Sequence, residues 1–258
     1  MEQLPFHLLK EFLDEKYDLY NRPEFIDSDP IQIPHLYTRK EDIEIAGFLA
    51  ATIAWGQRKS IITNAHKLMA LMGNNPYDFV MEARAPQLEK LRSFVHRTFQ
   101  GVDCYFFILA LRNIYQKHSG IEKVFANEFR ASQNMADAIR HFREVFFEIE
   151  CLPRTFKHVP NIDKGASAKR LNMYLRWMVR NDNRGVDFGI WPSVPSAALY
   201  LPLDLHTGNV SRKLGLLSRK QSDWQAVTEV TNRLRELDPN DPIKYDFALF
   251  GLGIFEKF

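Results

Sequence analysis

From Thr38 almost to the C-terminus, apolar residues recur at spacings of three and four, and no stretch keeps strand-like alternation for long. That period admits helices and little else. Thr38-x-x-Glu41 has the form of a capping box opening a helix. Within that helix Ile45, Phe48, Leu49, Thr52 and Ile53 fall on one stripe, and Gly56 is the expected stop. Residues 103–115 (DCYFFILALRNIY) are apolar nearly all round, as expected of a helix at the centre of a lobe. Phe142, Val145, Phe146 and Ile149 form another stripe, Ser222-x-x-Gln225 is a second capping box, and Asp241 is placed to cap a last helix through YDFALFGLGIF. The expected fold class is all-α.

Three irregular stretches interrupt the helices: Asn21–His35, rich in Pro and Asp; Leu152–Lys164, with Pro153 and Pro160; and Asn181–Pro202, with Gly185, Gly189, Pro192, Pro195 and Pro202. They divide the chain into an N-terminal helix and linker (1–37), a central helical bundle (38–160) and a basic C-terminal part (161–258). Periodicity leaves open whether the two ends pack together as one lobe.

A chain of 258 residues can form one large domain or two lobes, each with its own core. Its 45% hydrophobic and 26% charged residues exclude a disordered chain. No window approaches the roughly 20 uninterrupted apolar residues of a membrane span, so no membrane partner is expected. The start, MEQLPFHLLKEFLDEK, is acidic and lacks the basic-then-apolar layout of a secretory signal. Cys104 and Cys151 are the only cysteines, too few for a four-cysteine zinc or iron–sulfur site. No metal or cofactor is expected, and the cytoplasm, close to the nucleoid, is the expected location.

Net charge is only +2, but it is unevenly spread. Residues 1–50 carry eleven acids against five Lys/Arg, whereas residues 164–184 carry six Lys/Arg and one acid. Residues 206–220 add four more Lys/Arg and no acid. A basic region against an acidic remainder suits a polyanion binder. It equally suits two solvated helix faces.

The helix beginning near Ala166 has two faces. Leu171, Tyr174, Leu175, Met178 and Val179 face a core, and Lys169, Asn172, Arg176 and Arg180 share the opposite side, where the cations can follow a phosphate backbone. Lys169 lies in the first turn near Gly165, where the helix dipole, Arg170 and Lys164 all disfavour its protonated form. A neutral amine is what nucleophilic attack requires, although an exposed lysine needs no such role. Asp204 follows a proline-rich loop and precedes a helical pattern, which suits a capping residue. A carboxylate held there can also offset positive charge developing at a sugar carbon.

Gly165-Ala-Ser-Ala-Lys169, followed by Leu203-Asp204-Leu-His206 and Lys213-Leu-Gly-Leu216, resembles the signature of the helix-hairpin-helix DNA glycosylase superfamily. That resemblance implies a two-lobed helical fold with a central bundle and a hairpin. Lys169 takes the nucleophile position and Asp204 that of the essential carboxylate. The segment from Glu44 through Trp55-Gly-Gln57-Arg58-Lys59 is similar to the family's first bundle helix and the turn that enters DNA beside an extruded base, which places Gln57 there. Ser167 stands where the family has a second hairpin glycine, and 35 positions separate Lys169 from Asp204, closer to the archaeal 8-oxoguanine glycosylase type than to the endonuclease III type. No cysteine cluster follows, so no iron–sulfur cluster is implied. The chain also resembles a bacterial family of uncharacterised proteins.

The resemblance implies a monomeric glycosylase/lyase acting on duplex DNA with a damaged base, oxidised guanine being the favoured lesion. Gln57, Arg58, Lys59, Gly165, Ser167, Arg170, Asn172, Arg176, His206, Arg212 and Lys213 are the expected DNA contacts. Trp55, Trp177, Trp191, Phe247 and Phe250 are candidates for the slot that takes an extruded base, although most aromatics in a chain with 20 Phe are core. Two other readings share the same residues. One is a DNA- or RNA-binding module on the same scaffold without turnover; the other is a helical protein-interaction domain whose basic face meets an acidic partner.

Overall fold

The computed structural model describes residues 5–258 and is all-α. Residues 1–4, part of the acidic start, lie outside the described residues. Among the described residues no helix is long and apolar enough to cross a membrane. Among the described residues the only strands form a hairpin of two-residue strands, with Val95 opposite Gln100 and His96 opposite Phe99.

The chain forms two compact units. One spans Ile26–Pro160, and the other joins the chain up to Phe25 with Asn161–Phe258. The first break therefore falls at Phe25 rather than at residue 37. Two short 3-10 turns, Pro30–Gln32 and Pro34–Leu36, pack on helix Lys40–Thr52 and bury Ile31 and Ile33 completely, so this proline-rich stretch belongs to the bundle.

In the bundle unit, helix Lys40–Thr52 is buried on every side from Ile43 onward, which is why its predicted stripe understates its burial. It starts from Arg39 with no side-chain cap, so the capping box expected at Thr38 is absent. The backbone at Arg39 is still extended, and Glu41 bonds the Arg39 guanidinium instead. Phe48, Phe107, Phe142 and Phe146 pack at centroid distances of 4.7–5.9 Å, joining this helix to helices Gly101–Lys117 and Met135–Phe146. The last helix stops at Phe146, leaving Ile149 beyond its end. Gly101, first in its helix, lies so close to Arg92 that a Cβ would come 2.2 Å from the Arg92 carbonyl oxygen.

In the other unit, helix Phe6–Tyr20 packs on Tyr245–Ile254, and Leu205–Lys213 packs on the same helix. Gly251 permits the first contact, since a Cβ there would lie 2.1 Å from the Tyr20 ring. Asp223, not Ser222, caps helix Trp224–Leu237 by accepting from the Ala226 N–H at 3.1 Å. The Arg219 guanidinium bonded to Asp223 brings its carboxyl down to about 2. Asp241 does not cap the last helix, because its carboxylate is turned to Arg180.

Candidate active site

Lys169 is the first residue of helix Lys169–Val179, and the turn before it is sharp. Gly165 is left-handed (φ 82°), and Asn161 closes the preceding turn by accepting from the N–H groups of Asp163 and Lys164. Ala168, also left-handed (φ 54°), is an unusual conformation for a residue with a Cβ. It offers no side-chain cap, so the positive end of the helix is left to whatever approaches it.

Asp204 precedes helix Leu205–Lys213 and uses its two carboxylate oxygens differently. Oδ1 accepts from the Thr207 N–H at 2.9 Å, the capping role read from the sequence. Oδ2 lies 4.0 Å from Lys169 Nζ. Both side chains are about a quarter exposed, so amine and carboxylate are reachable together. The two helix starts thus bring together residues 35 positions apart.

The remainder of helix Lys169–Val179 corrects the expected phosphate track. All positions from Leu171 to Arg180 are buried, Asn172, Arg176 and Arg180 included. Asn172 donates to the Ser167 carbonyl at 3.3 Å and so clamps the turn before the helix rather than facing outward. Arg176 bonds Asp246 at 2.5 Å and Asp187 at 3.2 Å. Arg180, fully buried, meets Asp187 at 2.6 Å, Asp241 at 2.8 Å and Asp182 at 3.0 Å. These cations are internal because each has carboxylates around it, Asp187 being buried between the two. Burial pushes the Asp246 carboxyl up to about 6; Arg176 opposes the shift, Asp204 adds to it and Lys169 opposes it. Asp246 thereby shares its field with both candidate catalytic residues. Sequence reasoning missed it and Asp187, and read Asp241 as a helix cap rather than as a partner of Arg180. The available signal was the series of acids at 182, 187, 241 and 246 that follows two arginines spaced i, i+4.

Arg212 is likewise diverted: its guanidinium donates to the carbonyls of Arg219 and Lys220, both at 2.9 Å, and holds that loop. Partial burial brings Arg170 down to about 10. Lys164, Gly165, His206, Lys213 and Lys220 are exposed, and Ser167 is half-buried.

Among the proposed base-slot aromatics, Trp177, Trp191 and Phe247 are fully buried core. Trp191 packs edge-on to Tyr174, and Phe247 lies under the Arg176 guanidinium at 4.3 Å. Phe250 is half-buried against Phe25. An aromatic pair that sequence reasoning passed over sits by Gly165: Trp224, whose backbone N–H donates to the Gly165 carbonyl at 3.1 Å, packs its ring on Tyr200 at 4.8 Å, and both are partly exposed. Trp55, Gln57, Arg58 and Lys59 belong to the bundle unit. There Trp55 packs on His96, Gln57 and Lys59 are exposed, and Gln57 precedes helix Arg58–Leu71 without a side-chain cap. Gly56 (φ 104°) ends the preceding turn against Arg97, whose guanidinium a Cβ would meet at 2.8 Å.

No three His, Cys, Asp or Glu side chains are grouped to hold a metal among the described residues. No curated protein and no solved structure matches the chain. A family profile described as "Protein of unknown function (DUF2400)" matches residues 29–255. With that match covering most of its length, the chain belongs to the DUF2400 family, a family of proteins of unknown function.

Proposed function

We propose that this chain is a DNA glycosylase with lyase activity, of the helix-hairpin-helix kind, acting on an oxidised base such as 8-oxoguanine in duplex DNA. The observation that carries the reading is the Lys169 amine 4.0 Å from an Asp204 oxygen not used in capping, at the mouth of an uncapped helix start. The N-terminal end of that helix and exposed Lys164 and Lys213 favour a phosphate backbone. The Lys169 amine, once it has given up a proton, attacks C1′ of the extruded nucleotide as the glycosidic C–N bond breaks, and the base leaves with the bonding pair and takes a proton. Asp204 offsets the positive charge that develops on the sugar. Ring opening gives a Schiff base, loss of a C2′ proton expels the 3′ phosphate, and water then frees the lysine. Trp224 and Tyr200, partly exposed beside Gly165, are better placed to meet a base than the buried Trp177 and Trp191.

Borohydride trapping on labelled duplexes carrying single 8-oxoguanine, uracil, thymine-glycol or abasic sites tests this directly. The expected result is a covalent band on 8-oxoguanine that disappears in Lys169→Gln while duplex binding persists. A Lys169→Gln protein that still nicks damaged DNA at the wild-type rate removes Lys169 from the mechanism. Binding without a band on any lesion leaves a nucleic-acid-binding module without turnover, a reading favoured by Ser167 and left-handed Ala168 in the hairpin.

A further inference from the structure

The bundle unit contains a second polar site, unrelated to Lys169. A cavity of about 270 Å³ opens between the start of helix Lys40–Thr52, the first turn of helix Ile121–Ser132 and the rings of Tyr77 and Tyr115. Three carboxylates line it: Glu41, which bonds Arg39, is partly exposed, whereas Glu44 at 2% and Glu122 at 5% exposure are more than nine-tenths buried. Glu44 accepts from the Tyr115 hydroxyl at 2.6 Å. Glu122 bonds Lys40 through Oε2, but its buried Oε1 meets no donor among the described residues. A carboxylate oxygen removed from water without a donor is costly, so the Glu122 carboxylate depends on the cation that its Oε2 meets.

The chain's own cations show which donor fits. Lys40 Nζ lies between the two buried carboxylates, 3.9 Å from Glu44 and in contact with Glu122, although its side chain is 42% exposed. The Arg39 guanidinium lies 4.1 Å over the Tyr77 ring, which in turn meets Tyr115 edge-on at 5.1 Å. Paired carboxylates beside aromatic faces recognise organic cations. The half-exposed lysine on its flexible stem is an exchangeable occupant, whereas the carboxylates are fixed. A divalent metal fits less well, because no group of three acidic, His or Cys side chains is present among the described residues to bind one.

We infer that the cavity walled by Glu44, Glu122, Tyr77 and Tyr115 is a binding site for a small organic cation bearing a primary ammonium or guanidinium group, which displaces Lys40 from Glu122. The inference does not depend on the proposed glycosylase activity.

Isothermal titration of the full chain with agmatine, putrescine and, separately, calcium chloride tests it, alongside Glu122→Gln and Lys40→Met. Losing a charged hydrogen bond weakens binding roughly tenfold or more, so Glu122→Gln should lose agmatine or putrescine by at least that factor. Lys40→Met, which removes the resident competitor, should bind about tenfold more tightly. If Glu122→Gln fails to fold, Lys40→Met decides alone. Weaker or unchanged binding in Lys40→Met, unchanged binding in folded Glu122→Gln, no heat from either amine at millimolar concentration, or heat from calcium alone would each overturn the assignment.

Discussion

Replacing Arg176 with methionine separates a structural arginine from a DNA-contacting one. The side chain is 4% exposed and bridges two buried carboxylates, Asp246 at 2.5 Å and Asp187 at 3.2 Å, over the face of Phe247. Removing one partner of a buried ion pair costs about 3–5 kcal/mol, because the other charge is left without compensation. Here Arg180 still holds Asp187 at 2.6 Å, so the uncompensated charge is mainly that of Asp246. Its carboxyl is already raised to about 6, and losing Arg176 raises it further. At pH 7.5 the variant must either bury a bare carboxylate or take up a proton, and a loss of about 3–4 kcal/mol is expected. At pH 5 the carboxyl is protonated in the variant, and the loss should fall to about half. Urea denaturation followed by circular dichroism at the two pH values measures both. Duplex-DNA affinity across a salt series supplies the contrast, since removing a phosphate contact lowers the salt slope by about one and a buried bridge leaves it unchanged. A loss under about 1 kcal/mol at pH 7.5 together with a reduced salt slope would place Arg176 at the DNA surface and refute its internal role.

Asp246→Asn should flatten the pH dependence of stability. A carboxyl raised from 3.8 to about 6 keeps its proton in the folded state, so its stabilising contribution is complete below 3.8 and is lost as pH rises through 6, roughly 3 kcal/mol in all. Equal slopes for wild type and Asp246→Asn between pH 4 and 6.5 in denaturant titrations would contradict that environment. Gly251→Ala places a Cβ 2.1 Å from the Tyr20 ring, between helices Phe6–Tyr20 and Tyr245–Ile254. Overpacking of this kind costs about 1–3 kcal/mol, so the thermal midpoint should drop by several degrees, and an unchanged midpoint would mean the two helices are not packed as described.

Helical periodicity carried the fold class, and the core face of Leu171, Tyr174, Leu175, Met178 and Val179 was legible because apolar spacing encodes burial directly. Charge encodes it only through partners. Arg176 and Arg180 read as a solvated stripe because their carboxylates lie on a loop at Asp187 and far downstream at Asp241 and Asp246, where no periodicity points back to them. Caps were misplaced by a residue for a similar reason: the backbone angles of one residue decide whether Thr38 or Arg39, Ser222 or Asp223, closes the turn. Lys169 and Asp204 were found by resemblance, and the fold supplies the reason they meet. Helix Tyr245–Ile254 carries Asp246, which holds helix Lys169–Val179 through Arg176, and Gly253 of the same helix lets His206 approach until a Cβ at Gly253 would lie 3.0 Å from the His206 Cβ. One helix therefore sets the register of the element bearing Lys169 and of the element capped by Asp204. The buried arginines act on the candidate chemistry by fixing where Lys169 stands, so loss of Arg176 should disturb the Lys169–Asp204 pair from inside the protein, without any contact to a ligand.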